Sequence, residues 1–166
     1  MSLLRAALVK CPDAAPAAAV GGLDFIDDVE YREQLRRDIS AAYSAERNGE
    51  WKGATVIGGS VVEALLLWKL RQQNAAQVNA AVAAAAQAGF QGLQAAQLDS
   101  WNLAQYIEIA RRMGLVSPNT AAQATLSRDF RNLIHPGKAV RTGQRCNRGT
   151  ALSALAAIEH VVDDLS

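Results

Sequence analysis

The stretch Leu126 to Lys138, LSRDFRNLIHPGK, places two arginines, an asparagine and one of the chain's two histidines within eight residues. These are the side chains that phosphate chemistry uses. A guanidinium holds a phosphate and stabilises charge developing on it, and an imidazole moves a proton near neutral pH. Arg128, Arg131, Asn132 and His135 stand at i, i+3, i+4 and i+7. On a continuous α-helix those positions share one face. From Ser117 to Thr150 the basic residues are Arg128, Arg131, Lys138, Arg141, Arg145 and Arg148, against one acid, Asp129. Such a local excess suits a phosphate-bearing ligand. Lys138 and Arg141, just past the histidine, are the candidate substrate contacts.

The helix carrying this patch is predicted to open at Ser117-Pro118, serine as N-cap and proline in the first turn. It is predicted to end near His135, because Pro136 disfavours helical backbone in the residue before it. Pro136-Gly137 reads as a turn, and KAVRTGQRCNR as a basic loop. Leu126, Phe130, Leu133 and Ile134 point in other directions, toward the core.

Strand signals are nearly absent and helix signals recur along the chain, so the expected fold is all-α, an antiparallel bundle of four to five main helices. Residues 1–25 form an Ala/Pro/Gly-rich segment, and 26–166 the helical domain. The first helix runs from about Asp27 to Arg47 and stops at Asn48-Gly49. The second, about Glu50 to Gln73, is apolar nearly all round, which marks a central helix. Its Gly53, Gly58 and Gly59 each cost about 1 kcal/mol of helix propensity relative to Ala, so a neighbouring helix is expected to approach closely there. The Ala-rich tract from Ala75 to Ala88 reads as helix or helical linker. A further helix starts with Asp99 as N-cap, buries Leu103, Ile107 and Ala110, and closes at Gly114-Leu115. The last, about Thr150 to Leu165, buries Leu152, Leu155, Ile158, Val162 and Leu165.

The 166-residue chain carries a net charge of +1 and half its residues are hydrophobic. That excludes a global electrostatic pull toward nucleic acid or anionic lipid, and any basic surface must be local. Cys11 and Cys146 form no metal-binding spacing, so neither a metal nor another cofactor is expected. No run of about 20 unbroken apolar residues suggests a membrane span. The apolar run Leu3 to Val9 is interrupted by Arg5 and is short for a signal peptide, so a cytoplasmic location is expected.

Three pieces of this sequence resemble the HEPN superfamily, all-helical domains found in bacterial toxins and phage-defence proteins. EWKGATVIGGSVVEALLLWKL is similar to that family's central helix. LSRDFRNLIHPGKAVR is similar to its Arg-polar…His helix, and ALSALAAIEHVVDDL to its closing helix. The likeness covers roughly Asp27 to Leu165. It implies metal-independent RNA cleavage by attack of the ribose 2′-hydroxyl, a homodimer, and a protein antitoxin as partner in a toxin setting. Two registers fit the motif. Arg128-Asp129 has the longer spacing to His135 that matches the nuclease pattern. Arg131-Asn132 has the typical Arg-Asn pair, but only three residues separate Arg131 from the histidine.

A second reading of the same residues is structural. Glu63, set among Val61, Val62, Ala64 and Leu65, needs a partner, and Arg128 or Arg131 can supply it as a fold-specifying ion pair. The chain is then a non-catalytic dimerising or binding module. The smaller signals are read plainly. His160 reads as a surface or boundary histidine, and Trp51, Trp68 and Trp101 as core or interface aromatics.

Overall fold

A computed structural model describes residues 22–166, and among these seven α-helices and two 3-10 turns account for the ordered backbone, with no strand. The helices are α1 (Val29–Arg47), α2 (Trp51–Arg71), α3 (Ala75–Gln87), α4 (Leu103–Arg112), α5 (Pro118–Arg131), α6 (Pro136–Thr142) and α7 (Arg148–Leu165). The protein is an all-α helical bundle. Cys11 and the residues expected to form the N-terminal segment up to 21 lie outside the described residues. Leu23 and Ile26, on either side of the expected boundary at residue 25, are both fully buried.

Most helix starts follow from local side-chain chemistry. Asp28 accepts from the Tyr31 backbone N–H at 3.0 Å, Asn74 from Ala76 at 2.8 Å, and Ser117 from Thr120 at 3.1 Å. α4 and α7 both begin with reciprocal capping boxes, Asn102 with Gln105 and Asn147 with Thr150. Each satisfies backbone donors that the first turn leaves without partners. The α4 start corrects the expected N-cap. Asp99 lies instead in the 3-10 turn Ala95–Ser100 and ion-pairs with Arg71. At the end of α4, Gly114 adopts φ +70 and the Leu115 N–H reaches the Ala110 carbonyl at 2.9 Å, a left-handed glycine cap.

α2 is the central helix. It packs against α1, α4, α5 and α7, and buries Val61, Val62, Leu65, Leu66 and Leu70. Its length and apolarity alone would suit a membrane span, but half of that stretch is buried inside the bundle. Two of its three glycines are contact points. A Cβ on Gly58 would lie 2.9 Å from the Cβ of Ala154 on α7, and one on Gly59 would lie 2.9 Å from Cδ of Arg131 on α5. Gly53 has only ordinary contacts, the nearest being Ala45 at 3.8 Å.

The last helix buries Leu155, Ile158, Val162 and Leu165, whereas Leu152 is 45 % exposed. Leu152 sits one residue after Ala151 in the first turn, and it is Ala151 that takes the inward direction against Ala45 and Ala54. The alanine tract is a true helix, α3, burying Val78, Ala81 and Ala85.

Candidate functional site

α5 presents three different surfaces. Thr120, Ala121, Ala124 and Ser127 are buried, and α5 packs on α7 and α2. Leu126, Phe130 and Leu133 line a groove of about 630 Å³ with Gly143 to Arg145 and the start of α7. Leu126 is 42 % exposed at its rim, not in the core as its spacing suggests. Arg128, Arg131 and Asn132 line a separate cleft of about 520 Å³.

That cleft is built by α2, α4 and α5. Gly59 and Glu63 stand one turn apart on α2, so they share a face. The notch left by the glycine receives the aliphatic stem of Arg131, whose Cδ, Cβ and Cγ all come within 3.5 Å of a notional Gly59 Cβ. One turn further on, Glu63 Oε2 accepts from Arg131 Nη1 at 2.6 Å. Both side chains are about one-third exposed. Arg128 pairs instead with its neighbour Asp129, Nη2 to Oδ1 at 2.6 Å. The far wall comes from the start of α4: Trp101, Asn102, Leu103 and Ala104. Trp101 is buried, donates Nε1–H to the Gln94 carbonyl at 3.0 Å, and rests on Tyr106 with ring centroids 5.8 Å apart.

The histidine does not join this cleft. The α-helix stops at Arg131, Asn132 to Ile134 tighten into a 3-10 turn, and His135 has extended backbone with φ −78 and ψ 115. The single helical face expected for Arg128, Arg131, Asn132 and His135 is therefore broken after Asn132. The cause is Pro136, whose ring excludes helical backbone from the residue before it and which has no N–H to bond back. The same proline sits well in a first helical turn, where an N–H has no partner anyway. So 136–142 is a helix, α6, rather than a turn followed by loop. The His135 carbonyl accepts from the N–H groups of Lys138 at 3.0 Å and Ala139 at 3.1 Å as that helix begins.

α6 buries none of its residues, and Val140 is 84 % exposed. It leans on the preceding 3-10 turn. His135 and Arg141 are exposed and Lys138 is half-buried. Among the described residues, Lys138, Arg141 and Arg145 have no acid partner, while Arg148 is taken by Glu46 at 3.1 Å. The basic excess visible in the sequence is thus divided. Two arginines are matched by acids at the cleft, and the unmatched cations stand on the segment from Lys138 to Arg145.

Trp101, Asn102, Leu103 and Ala104 were not among the candidate residues. The signal was present as Asn102-x-x-Gln105, a capping pair three residues after Asp99. Reading it as the helix start places Trp101 and Asn102 together at the entrance of α4. Among the described residues, no group of three or more His, Cys, Asp or Glu side chains lies close enough together to hold a metal ion. No protein-family model, curated protein or solved structure matches this chain.

Proposed function

We propose that this chain is a HEPN-like helical domain that binds single-stranded RNA, with the arm from His135 to Arg145 making the phosphate contacts. The observation that carries it is the state of α6: none of its residues is fully buried, and it carries Lys138 and Arg141 without an acid partner among the described residues. Its chemistry suits phosphate. The Arg131–Glu63 pair has a different part, tying α5 to α2 so that the arm leaves the bundle at a fixed point. A homodimer belongs to this reading by resemblance, and a cytoplasmic location by the sequence expectation.

Metal-independent endoribonuclease activity is the second reading. It is favoured by the exposure of His135, which leaves an imidazole free to take or give a proton beside a bound phosphate. It is opposed by the pairing of both candidate arginines with carboxylates.

One experiment separates the two. Purified protein is titrated with labelled single-stranded RNA across a salt series, without added metal, and the RNA is then run on a gel. Binding should weaken steeply with salt, and Lys138→Ala and Arg141→Ala should each reduce the salt slope by about one. Cleavage lost in His135→Ala would make the domain a nuclease. Intact RNA with salt-dependent binding would make it a binding module. Salt-insensitive or absent binding would end the proposal.

A further inference from the structure

The cleft between α2, α4 and α5 differs in character from the arm. Its two cations are each matched by an anion at 2.6 Å, Arg131 by Glu63 and Arg128 by Asp129. A phosphate entering it would have to displace Glu63 from Arg131 and then stand beside a second carboxylate. A cation would meet two guanidinium groups. The balance of charge therefore favours a ligand that is neutral.

What the cleft has to spare is hydrogen bonding. Glu63 uses Oε2 on Arg131 and, among the described residues, leaves Oε1 without a donor. Arg131 commits Nη1 alone, leaving Nε and Nη2. Asn132 makes no side-chain hydrogen bond to any described residue, and Asn102 commits Oδ1 to the Gln105 N–H while its amide nitrogen is free. A carboxylate acceptor thus lies in one cleft with amide and guanidinium donors. Its matching ligand presents adjacent N–H donors next to a carbonyl oxygen. Among the four RNA bases only guanine does so on its Watson–Crick edge, with N1–H and the exocyclic amine beside O6. The cleft volume of about 520 Å³ falls in the range of sites that take small molecules, roughly 300–1,000 Å³.

We propose that this cleft binds a single guanine base splayed out of single-stranded RNA. Glu63 accepts from N1–H and the exocyclic amine through Oε1 and the remaining lone pair of Oε2, so that Arg131 stays paired; Asn132 or Arg131 donates to O6, and Trp101 forms the wall beside the base. Sequence-specific recognition of RNA commonly works this way, by reading unstacked bases on their edges. The proposal rests on RNA as the ligand of the arm, and its test keeps the two apart.

Two probes are used on the full chain. The first is each free nucleoside at millimolar concentration, read by the indole N–H resonance of Trp101, assigned with Trp101→Phe. Guanosine should shift it, and adenosine, cytidine and uridine should not. The second is a short oligouridine, compared with versions carrying one central guanine or one central inosine. The guanine version should bind about tenfold more tightly than all-uridine, equivalent to about 1.4 kcal/mol. Inosine lacks the exocyclic amine and should lose most of that gain. Glu63→Gln should bring the guanine-to-uridine ratio close to one. If that variant melts too low to use, Asn132→Ala should still cut the ratio several-fold. Guanosine shifting Trp101 while no oligomer binds would keep the base site and remove the RNA reading of the arm. Salt-dependent oligouridine binding with no gain from guanine, and no guanosine shift, would overturn the base site and leave the arm. Equal shifts from all four nucleosides would mean ribose recognition, and would also overturn it.

Discussion

The three glycines of α2 should respond differently to the same substitution. Alanine in place of any of them gains about 1 kcal/mol of helix propensity. At Gly53 nothing opposes the gain, because the new methyl meets Ala45 at an ordinary 3.8 Å. Gly53→Ala should therefore stabilise the fold by about 0.5–1 kcal/mol. At Gly58 the methyl would stand 2.9 Å from the Ala154 Cβ and 3.4 Å from that residue's backbone carbonyl. Neither can swing aside, so α2 and α7 must separate, and overpacking of this kind costs about 1–3 kcal/mol. The net effect should be a loss of up to about 2 kcal/mol, or up to roughly 8 °C in melting temperature for a domain of this size. At Gly59 the obstacle is the flexible stem of Arg131. There the stem can move, but only by leaving the notch that directs its guanidinium to Glu63. Gly59→Ala should be close to neutral in stability, the propensity gain offset by loss of a partly exposed ion pair worth about 1 kcal/mol or less. It should nonetheless disturb the cleft, visible as a shifted Trp101 indole resonance. Urea denaturation with far-UV circular dichroism gives all three free energies, and unchanged slopes validate the comparison. A Gly58→Ala variant as stable as Gly53→Ala would refute the close α2–α7 approach. A destabilisation of Gly59→Ala as large as that of Gly58→Ala would refute the mobile-stem account.

Two further predictions concern α5. Ser127 is fully buried and its hydroxyl has no hydrogen-bond partner among the described residues. Ser127→Ala should raise stability by about 0.5–1.5 kcal/mol in the same urea assay, since it removes an unsatisfied polar group and improves helix propensity. At the other end of the helix, the Asp164 carboxylate accepts from the Ser117 backbone N–H at 2.6 Å. Burial pushes its pKa up, but the Ser117 N–H and the Thr120 and Ser117 hydroxyls outweigh it and hold the group below its ordinary value of 3.8. A depressed folded pKa stabilises the protein above the unfolded value, and that contribution is lost as pH falls through the folded one. Asp164→Asn should therefore be less stable than the wild type at neutral pH. The gap should close as melts are taken below the ordinary value, and a pH-independent gap would refute the linkage.

The helices were legible because each announces itself locally. Ser117-Pro118, Asn48-Gly49 and Gly114-Leu115 are cap and stop signals whose chemistry involves only neighbouring residues. The all-round apolarity of α2 likewise placed it at the centre, and its glycines marked two of the close approaches. Errors arose where two local signals competed. Asp99 and Asn102 both suit an N-cap, and Asn102 prevailed because Gln105 completes a reciprocal box. Asp99 was then free to pair with Arg71, a residue on another helix that no spacing rule could reach. Pro136 was read correctly as a helix terminator, but a terminator at one end is a good first residue for the next helix. The partner of Glu63 was narrowed to two arginines by sequence. Only the packing of α5 against α2 selected Arg131, because the notch at Gly59 lies beside Arg131 and not Arg128.

The break at Pro136 has a chemical consequence beyond the shape of the chain. Had the α-helix continued, Arg131 and His135 would lie one turn apart on the same face, and a phosphate held by one would meet the other. With the 3-10 turn and an extended His135 in between, arginines and histidine are assigned to different surfaces of one protomer. Any reaction needing both on a single phosphate then requires either a second copy to bring its arm to the cleft or the Arg131–Glu63 pair to open. The first route makes cleavage depend on the square of protein concentration when the protein is dilute. The second makes it first order and sensitive to Glu63→Gln, which frees the guanidinium. Measuring cleavage rate against protein concentration in the wild type and in Glu63→Gln tells these routes apart. A rate that scales linearly down to concentrations at which the protein is monomeric, and that ignores Glu63, would exclude both, and with them any shared role for Arg131 and His135.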